Sequence, residues 1–309
     1  MSQQIAYVSE QEGLPKVFIM NDDGSDSRLL IKDMPSSCQP TWSSDGTKLL
    51  FVSPCGPRNE KVDIAYPNAS IFIANVTPDG IATGSKLLIT VVNGAYDSDW
   101  GPTGILFTGL GEGKPLVYFS DFEGNERLLS SDLGAGEKLA RWVPGTEFIL
   151  FFRDNPLQLF VGAFAGFSDP ITSNQQITHQ TNSPLYPSFS PSGDLIAFTS
   201  KIETGEDGTI NPSWHISVLK WVWDIANPEL QQNEKSTRLT NSGLINTDPD
   251  WSPNGNWIAF AFYDHTKGSQ FDIYKMTKSG GSIQPLTNII GADDPGDPDE
   301  YQPAWRPYP

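Results

Sequence analysis

Apolar residues in this chain come in short runs, each preceded by one aromatic residue and a polar turn. The stretch 248–262, DPDWSPNGNWIAFAF, sets the pattern. Ile258 to Phe262 is apolar at every position, whereas a half-buried strand would alternate. Such a run predicts a strand covered on both faces. A second strand is predicted to end at Trp251, with Ser252-Pro253-Asn254-Gly255 as the turn between them. Pro253 pre-sets φ at the first corner, Asn254 tolerates the second, and Gly255 takes the φ > 0 position.

The pattern recurs. Trp42 is followed by SSDG and LLFVS, and Trp100 by GPTG and ILF. Trp142 is followed by VPG and FILF, and Phe189 by SPSG and LIAFTS. Trp305 closes a last copy with no second strand after it, and Ile5–Ser9 is a second strand with no aromatic strand before it. The aromatic anchors at 42, 100, 142, 189, 251 and 305 stand 42 to 62 residues apart. Repeats of about 40–50 residues with several short strands signal a propeller, whose sheets cover one another's faces. The expectation is an all-β, six-bladed β-propeller of four-stranded blades. Its ring is closed by pairing of the N- and C-terminal strands, and one domain spans 1–309.

The W-S-P-(D/N/S)-G turn with its IAF-type strand precedes an I-Y-x-M strand and a (Q/R)-x-L-T strand. Phe189–Ser200, Trp251–Phe260 and Phe271–Thr287 carry the pattern best. It resembles the TolB-like β-propeller family along the whole chain. GPTG and VPGT depart from the motif. The resemblance implies the fold and, among family members, periplasmic protein binding. Related propellers serve as sensor or ligand-binding ectodomains, and others precede peptidase domains.

Net charge is −17, which argues against nucleic acid and anionic membrane surfaces as partners. No run of 18 apolar residues occurs, so no membrane-inserted segment is expected. Met1–Gln4 is not a signal peptide, and a leader or upstream domain is expected to lie outside this chain. The only two cysteines, Cys38 and Cys55, fall near opposite each other across a hairpin that turns at residues 45–46. A disulfide between them is expected, and with it a periplasmic or extracellular setting.

Catalytic signatures are sparse. No G-x-S-x-G elbow is present. Gly109–Lys114 lacks the spacing and the Ser/Thr of a phosphate loop and reads as a strand connection. His179, His215 and His265 have no mutual ligand spacing. Asp293, Asp294, Asp297, Asp299 and Glu300 crowd one loop and are candidate Ca²⁺ ligands, the one cofactor considered, although they fit no EF-hand. The residues three before the anchors are Gln39, Asp97, Leu139, Tyr186, Asp248 and Gln302. Gln39, Asp97, Tyr186, Asp248 and Gln302 are expected to ring a channel mouth and bind ligand.

Loops 54–68, 201–213 and 288–300 are expected to share one face with that mouth. The functional expectation is a non-enzymatic binding or scaffolding module. It would take a protein, peptide or small polar ligand on that face. The alternatives are a carboxylate- or metal-dependent hydrolase or lyase at the mouth, and a sensor ectodomain of a membrane receptor.

Overall fold

The computed structural model describes residues 2–58, 66, 68–111, 113–130, 135–154, 157–164, 172–177, 184–202, 213–222, 235–240, 244–264, 270–287 and 298–307. Every regular element among them is a β-strand, so no helix is long and apolar enough to cross a membrane. β1 (Gln4–Ser9), β2 (Lys16–Asn21) and β3 (Arg28–Leu29) form a sheet with the last strand, β24 (Glu300–Trp305), in the order β24-β1-β2-β3. β4 (Cys38–Trp42), β5 (Lys48–Ser53), β6 (Ser70–Val76) and β7 (Ala82–Ile89) form a second. β8 (Ala95–Trp100), β9 (Ile105–Leu110), β10 (Pro115–Ser120) and β11 (Glu126–Leu128) form a third. β12 (Glu137–Trp142), β13 (Phe148–Arg153), β14 (Gln158–Ala163) and β15 (Thr172–Gln176) form a fourth.

The remaining strands make one eight-stranded sheet. It contains β16 (Leu185–Phe189), β17 (Leu195–Ile202), β18 (Ser213–Lys220) and β19 (Thr237–Arg238). It continues through β20 (Ile245–Trp251), β21 (Trp257–Tyr263), β22 (Phe271–Thr277) and β23 (Gln284–Pro285). This corrects the expectation of six separate four-stranded sheets. The cause is one parallel bridge, Trp214 to Ile245, which joins β18 to β20. The arrangement is that of a β-propeller. The strands carrying the anchors touch in the order β24, β4, β8, β12, β16, β20, and β20 touches β24 in turn.

The continuous apolar runs become second strands, as their pattern requires. Leu49–Val52, Ile105–Phe107, Ile149–Phe152 and Ile258–Ala261 are 0% exposed throughout. Each lies between two strands of its own sheet and beneath side chains of neighbouring sheets. At about 1.5–3 kcal/mol per fully buried large apolar side chain, these strands contribute strongly to the driving force for stacking. An isolated sheet would expose both faces.

The turn chemistry is as the sequence predicts. Gly255 N–H donates to the Ser252 carbonyl at 2.8 Å, and Gly255 has φ 67°. The Ser252 hydroxyl accepts the Trp257 N–H at 2.9 Å, and Ser43 and Ser190 do the same for Lys48 and Leu195. The turn after Trp100 is two residues shorter: Trp100 faces Ile105, whereas Trp42 faces Leu49. A Cβ on Gly101 would lie 2.0 Å from Nε1 of Trp142. The indole of the next sheet's anchor therefore fills the space that the serine side chain takes in the SPxG turns. Cys38 and Cys55 are disulfide-bonded, with Cα atoms 6.2 Å apart.

Gly101→Val should destabilise the protein by about 1–3 kcal/mol through overpacking against Trp142. Gly56→Ala, where an added Cβ meets nothing within 4 Å, serves as the control. Urea midpoints compare the two; equal midpoints would refute the packing account.

Candidate ligand site

Five of the six anchor-bearing strands pair on one side only, and β20 adds to its β21 ladder only the single Trp214–Ile245 bridge, so the remaining edges face the molecular axis. All six residues three before the anchors adopt the left-handed conformation: φ is 51° at Gln39 and Asp97, 55° at Leu139, 50° at Tyr186, 53° at Asp248 and 52° at Gln302. At each of them, or directly opposite, the ladder with the next strand shifts register. A bulge of this kind re-aims side chains, and bulges concentrate at rims and sites. A proline follows four of the six (Pro40, Pro187, Pro249 and Pro303), and proline suits an edge because it has no N–H to leave unpaired.

Several exposed-edge N–H groups that remain are capped from the neighbouring sheet. Gln39 N–H donates to Gln302 Oε1 at 2.9 Å, and Asp97 N–H donates to Gln39 Oε1 at 2.8 Å. Leu139 N–H donates to Thr108 Oγ1 at 3.0 Å. One level along the axis, Trp142 N–H donates to Asp99 Oδ2 at 2.8 Å and Trp305 N–H to Asp250 Oδ2 at 2.7 Å. Gln39 Nε2 also donates to Asp97 Oδ1 at 2.5 Å.

The five expected ligand residues are brought together, but not as an open mouth. Gln39, Asp97, Tyr186, Asp248 and Gln302 are each 9% exposed or less. The segment after Cys55 supplies the reason. Arg58 is wholly buried, donates to Asp248 Oδ2, and lies 4.5 Å from the centre of the Phe271 ring and 4.9 Å from that of Tyr301. Its own N–H donates to Glu10 Oε1 at 3.0 Å, an oxygen that also accepts the Tyr301 hydroxyl at 2.9 Å. Tyr66 is buried beside this group, and burial pushes its phenol well above the usual range. Most of the loops expected to form the binding face (59–65, 67, 203–212 and 288–297) lie outside the described residues.

The ring is instead the floor of a cavity of about 870 Å³ along the axis. Its wall carries the residues one before the anchors: Thr41, Asp99, Arg141, Ser188, Asp250 and Ala304. Its rim comes from the turns after the anchors, where Ser44, Pro102, Pro144, Gly145 and Thr146 are exposed. The cavity thus opens toward the W-S-P-x-G turns. Asp99 and Asp250 touch it but are otherwise enclosed by protein. Burial pushes both carboxyls up to about 6, against the opposing pull of Arg141 and of their N–H donors. Ser188 adds a hydrogen bond to Asp250 Oδ1 at 2.9 Å. Phe122, 46% exposed, stacks on Trp100 at the rim with centroids 5.4 Å apart.

The sequence reading missed Arg58, Tyr66 and Arg141. Arg141 could have been found by reading the repeats one residue before each anchor; Arg58 has no counterpart in the repeat. Of the candidate Ca²⁺ ligands, Asp293, Asp294 and Asp297 lie outside the described residues. Asp299 accepts the Phe271 N–H at 2.8 Å, and Glu300 is buried in β24. No group of three potential metal ligands occurs among the described residues. His179 and His265 are outside them too, while His215 is buried with Nε2 2.7 Å from Ser213 Oγ. Gly109–Lys114 links β9 to β10, with Glu112 undescribed.

Asp248→Ala should cost about 3–5 kcal/mol, because it removes the carboxylate facing a buried guanidinium. Arg58→Met should cost less, and equal melting of D248A and wild type would refute the pair. The axial carboxyls also set a pH dependence. A carboxyl that ionises near 6 in the fold and near 3.9 when unfolded binds more protons folded than unfolded in that interval. Stability from these two groups is therefore highest at acid pH and falls as pH rises through about 6. The double variant Asp99→Asn/Asp250→Asn should flatten that fall, read as urea midpoints at pH values either side of the interval.

No family model matches the chain. An uncharacterised protein of Agrobacterium fabrum is 24% identical over 148 residues, 39% of this chain and 45% of that protein. Dipeptidyl-peptidase 5 of Porphyromonas endodontalis is 21% identical over 287 residues, 87% of this chain and 36% of that one. The matches thus span less than half the length of these curated relatives. Among solved structures, TolB from Acinetobacter baumannii has a TM-score of 0.70 at 18% identity, covering 98% of this chain and 66% of its own. A putative TolB from Agrobacterium tumefaciens has a TM-score of 0.62 at 17% identity, covering 100% and 99%. A chain of a nidogen/laminin complex has a TM-score of 0.64 at 9% identity, covering 99% and 100%. Together with the sheets described above, these likenesses establish that the chain has a TolB-like β-propeller fold.

Proposed function

We propose that the chain is a non-enzymatic binding and scaffolding propeller, one domain over 1–309, with its ligand at the central cavity. The observation that carries this reading is the cavity of about 870 Å³, walled by the anchor strands and rimmed by exposed turns. That volume lies within the roughly 300–1,000 Å³ usual for ligand pockets. A protein, a peptide or a small polar ligand would enter from the face of the W-S-P-x-G turns rather than from the long-loop face, where Arg58 and Tyr66 are packed against the ring. The likeness to a chain of a nidogen/laminin complex favours a protein partner. The Cys38–Cys55 disulfide favours an extracytoplasmic setting.

The eight-stranded sheet is read as two blades sharing one bridge, which makes six blades and a ring closed by β24 on β1. The circuit of contacts among the anchor strands supports this count.

One observation favours an enzyme, namely the two cavity carboxyls that titrate near 6. Both, however, accept backbone N–H groups of the next sheet, which gives them a structural task.

A photo-crosslinking residue at Ser44 or Pro102 should capture the partner, and one at Val92, exposed away from the rim, should not. Equal capture at Val92 would overturn the rim as the binding face. Turnover of ester, peptide or glycoside substrates that is lost in D99N and D250N would replace the binding reading with the enzymatic one.

A further inference from the structure

The proposed cavity has one wall that carries both signs of charge with bonding capacity to spare. Arg141 lines the cavity and is partly accessible. The only hydrogen bond of its side chain among the described residues is from the guanidinium to the Ala140 carbonyl at 2.9 Å, and it forms no ion pair among them. A guanidinium has five N–H donors in a fork that matches a carboxylate. The adjacent strand presents Asp99. Its Oδ2 accepts the Trp142 N–H, and its Oδ1 takes part in no hydrogen bond among the described residues. Asp250 differs, since its two oxygens are taken by Trp305 N–H and the Ser188 hydroxyl. Beside this pair, Trp100 and the half-exposed Phe122 stack into an aromatic surface at the rim.

We propose that this wall recognises a free α-amino acid with an aromatic or large apolar side chain, its carboxylate on Arg141, its ammonium on Asp99 and its side chain on Trp100 and Phe122. The inference rests on the reading of the cavity as a ligand site and deepens it. A lone anion would meet two carboxylates, and a lone cation would meet Arg141. A zwitterion with adjacent charges satisfies both groups and adds no net charge. In a peptide the two charges sit at opposite chain ends, so the free amino acid fits this wall best. Asp99, Trp100 and Arg141 are each partly buried, which strengthens such charge-assisted bonds relative to a fully exposed pair.

The test is calorimetric titration of the whole chain with L-phenylalanine, N-acetyl-L-phenylalanine and L-phenylalaninamide. L-Phenylalanine should bind at least ten-fold more tightly than either blocked compound. Arg141→Gln should abolish the preference over the amide. Asp99→Asn, which keeps an acceptor for Trp142 N–H, should abolish the preference over the N-acetyl compound. Melting curves of both variants check the fold, and the wild-type series decides the matter if either variant fails to fold. Binding of a blocked compound as tightly as phenylalanine would overturn the zwitterion while leaving the cavity a ligand site. No binding by any of the three, with crosslinking at the rim still capturing a protein, would overturn this inference and leave the scaffold reading standing. Failure of both experiments would remove both.

Discussion

A propeller converges several sheets on an axis where each presents an unpaired strand edge. That edge is the constraint behind the centre of this molecule. A backbone N–H buried without an acceptor costs about 1–3 kcal/mol, and the anchor strands would leave many. Three devices answer it. Four of the six positions after the left-handed residue are proline, which has no N–H. The left-handed residues bulge each strand and turn polar side chains toward the axis. Side chains of these strands then cap the next one: among the left-handed residues Gln302 caps Gln39 and Gln39 caps Asp97, and one residue before the anchors Asp99 caps Trp142 and Asp250 caps Trp305. The indoles of Trp42 and Trp100 add bonds of the same sense to the Ala304 and Thr41 carbonyls, at 3.1 and 3.2 Å.

The candidate site is a by-product of this solution. Carboxylates suit the caps because a charged acceptor makes a stronger bond to an N–H, yet enclosing them raises Asp99 and Asp250 to about 6. Structural need alone therefore generates the perturbed acids that would otherwise mark a catalytic centre. Arg141 offsets the burial of both acids through its charge, but most of its N–H donors and Asp99 Oδ1 take part in no hydrogen bond among the described residues. Those open hydrogen-bonding positions, rather than the titration of the acids, favour a ligand.

Much of this was legible beforehand because the repeat is periodic. The apolar second strands, the Gly255 turn and the Cys38–Cys55 pairing follow from pattern and local chemistry. Counting back from the aromatic anchors located the axial ring through Gln39, Asp97, Tyr186, Asp248 and Gln302. What the repeat does not encode could not be read. Arg58 belongs to an insertion between β5 and β6, and its burial depends on Phe271, Tyr301 and Asp248 from distant sheets. The bridge from Trp214 to Ile245 depends on how two sheets meet. The substitution of GPTG for SPxG is visible in the sequence, but its cause, the Trp142 indole against Gly101, lies in the neighbouring sheet.

The floor of the cavity illustrates how local chemistry and long-range packing combine. Cys38 precedes Gln39 on an anchor strand, and Cys55 lies three residues before Arg58. The disulfide therefore ties the strand at the middle of the Gln302–Gln39–Asp97 relay to the segment that covers Asp248 on the far side of the ring. The same segment accounts for the inversion of the expected geometry. With Arg58 and Tyr66 packed against the ring, the axial space is reached from the opposite end, where the turns are short and their tips exposed. An insertion on one face of the propeller thereby leaves the axial cavity open at the other.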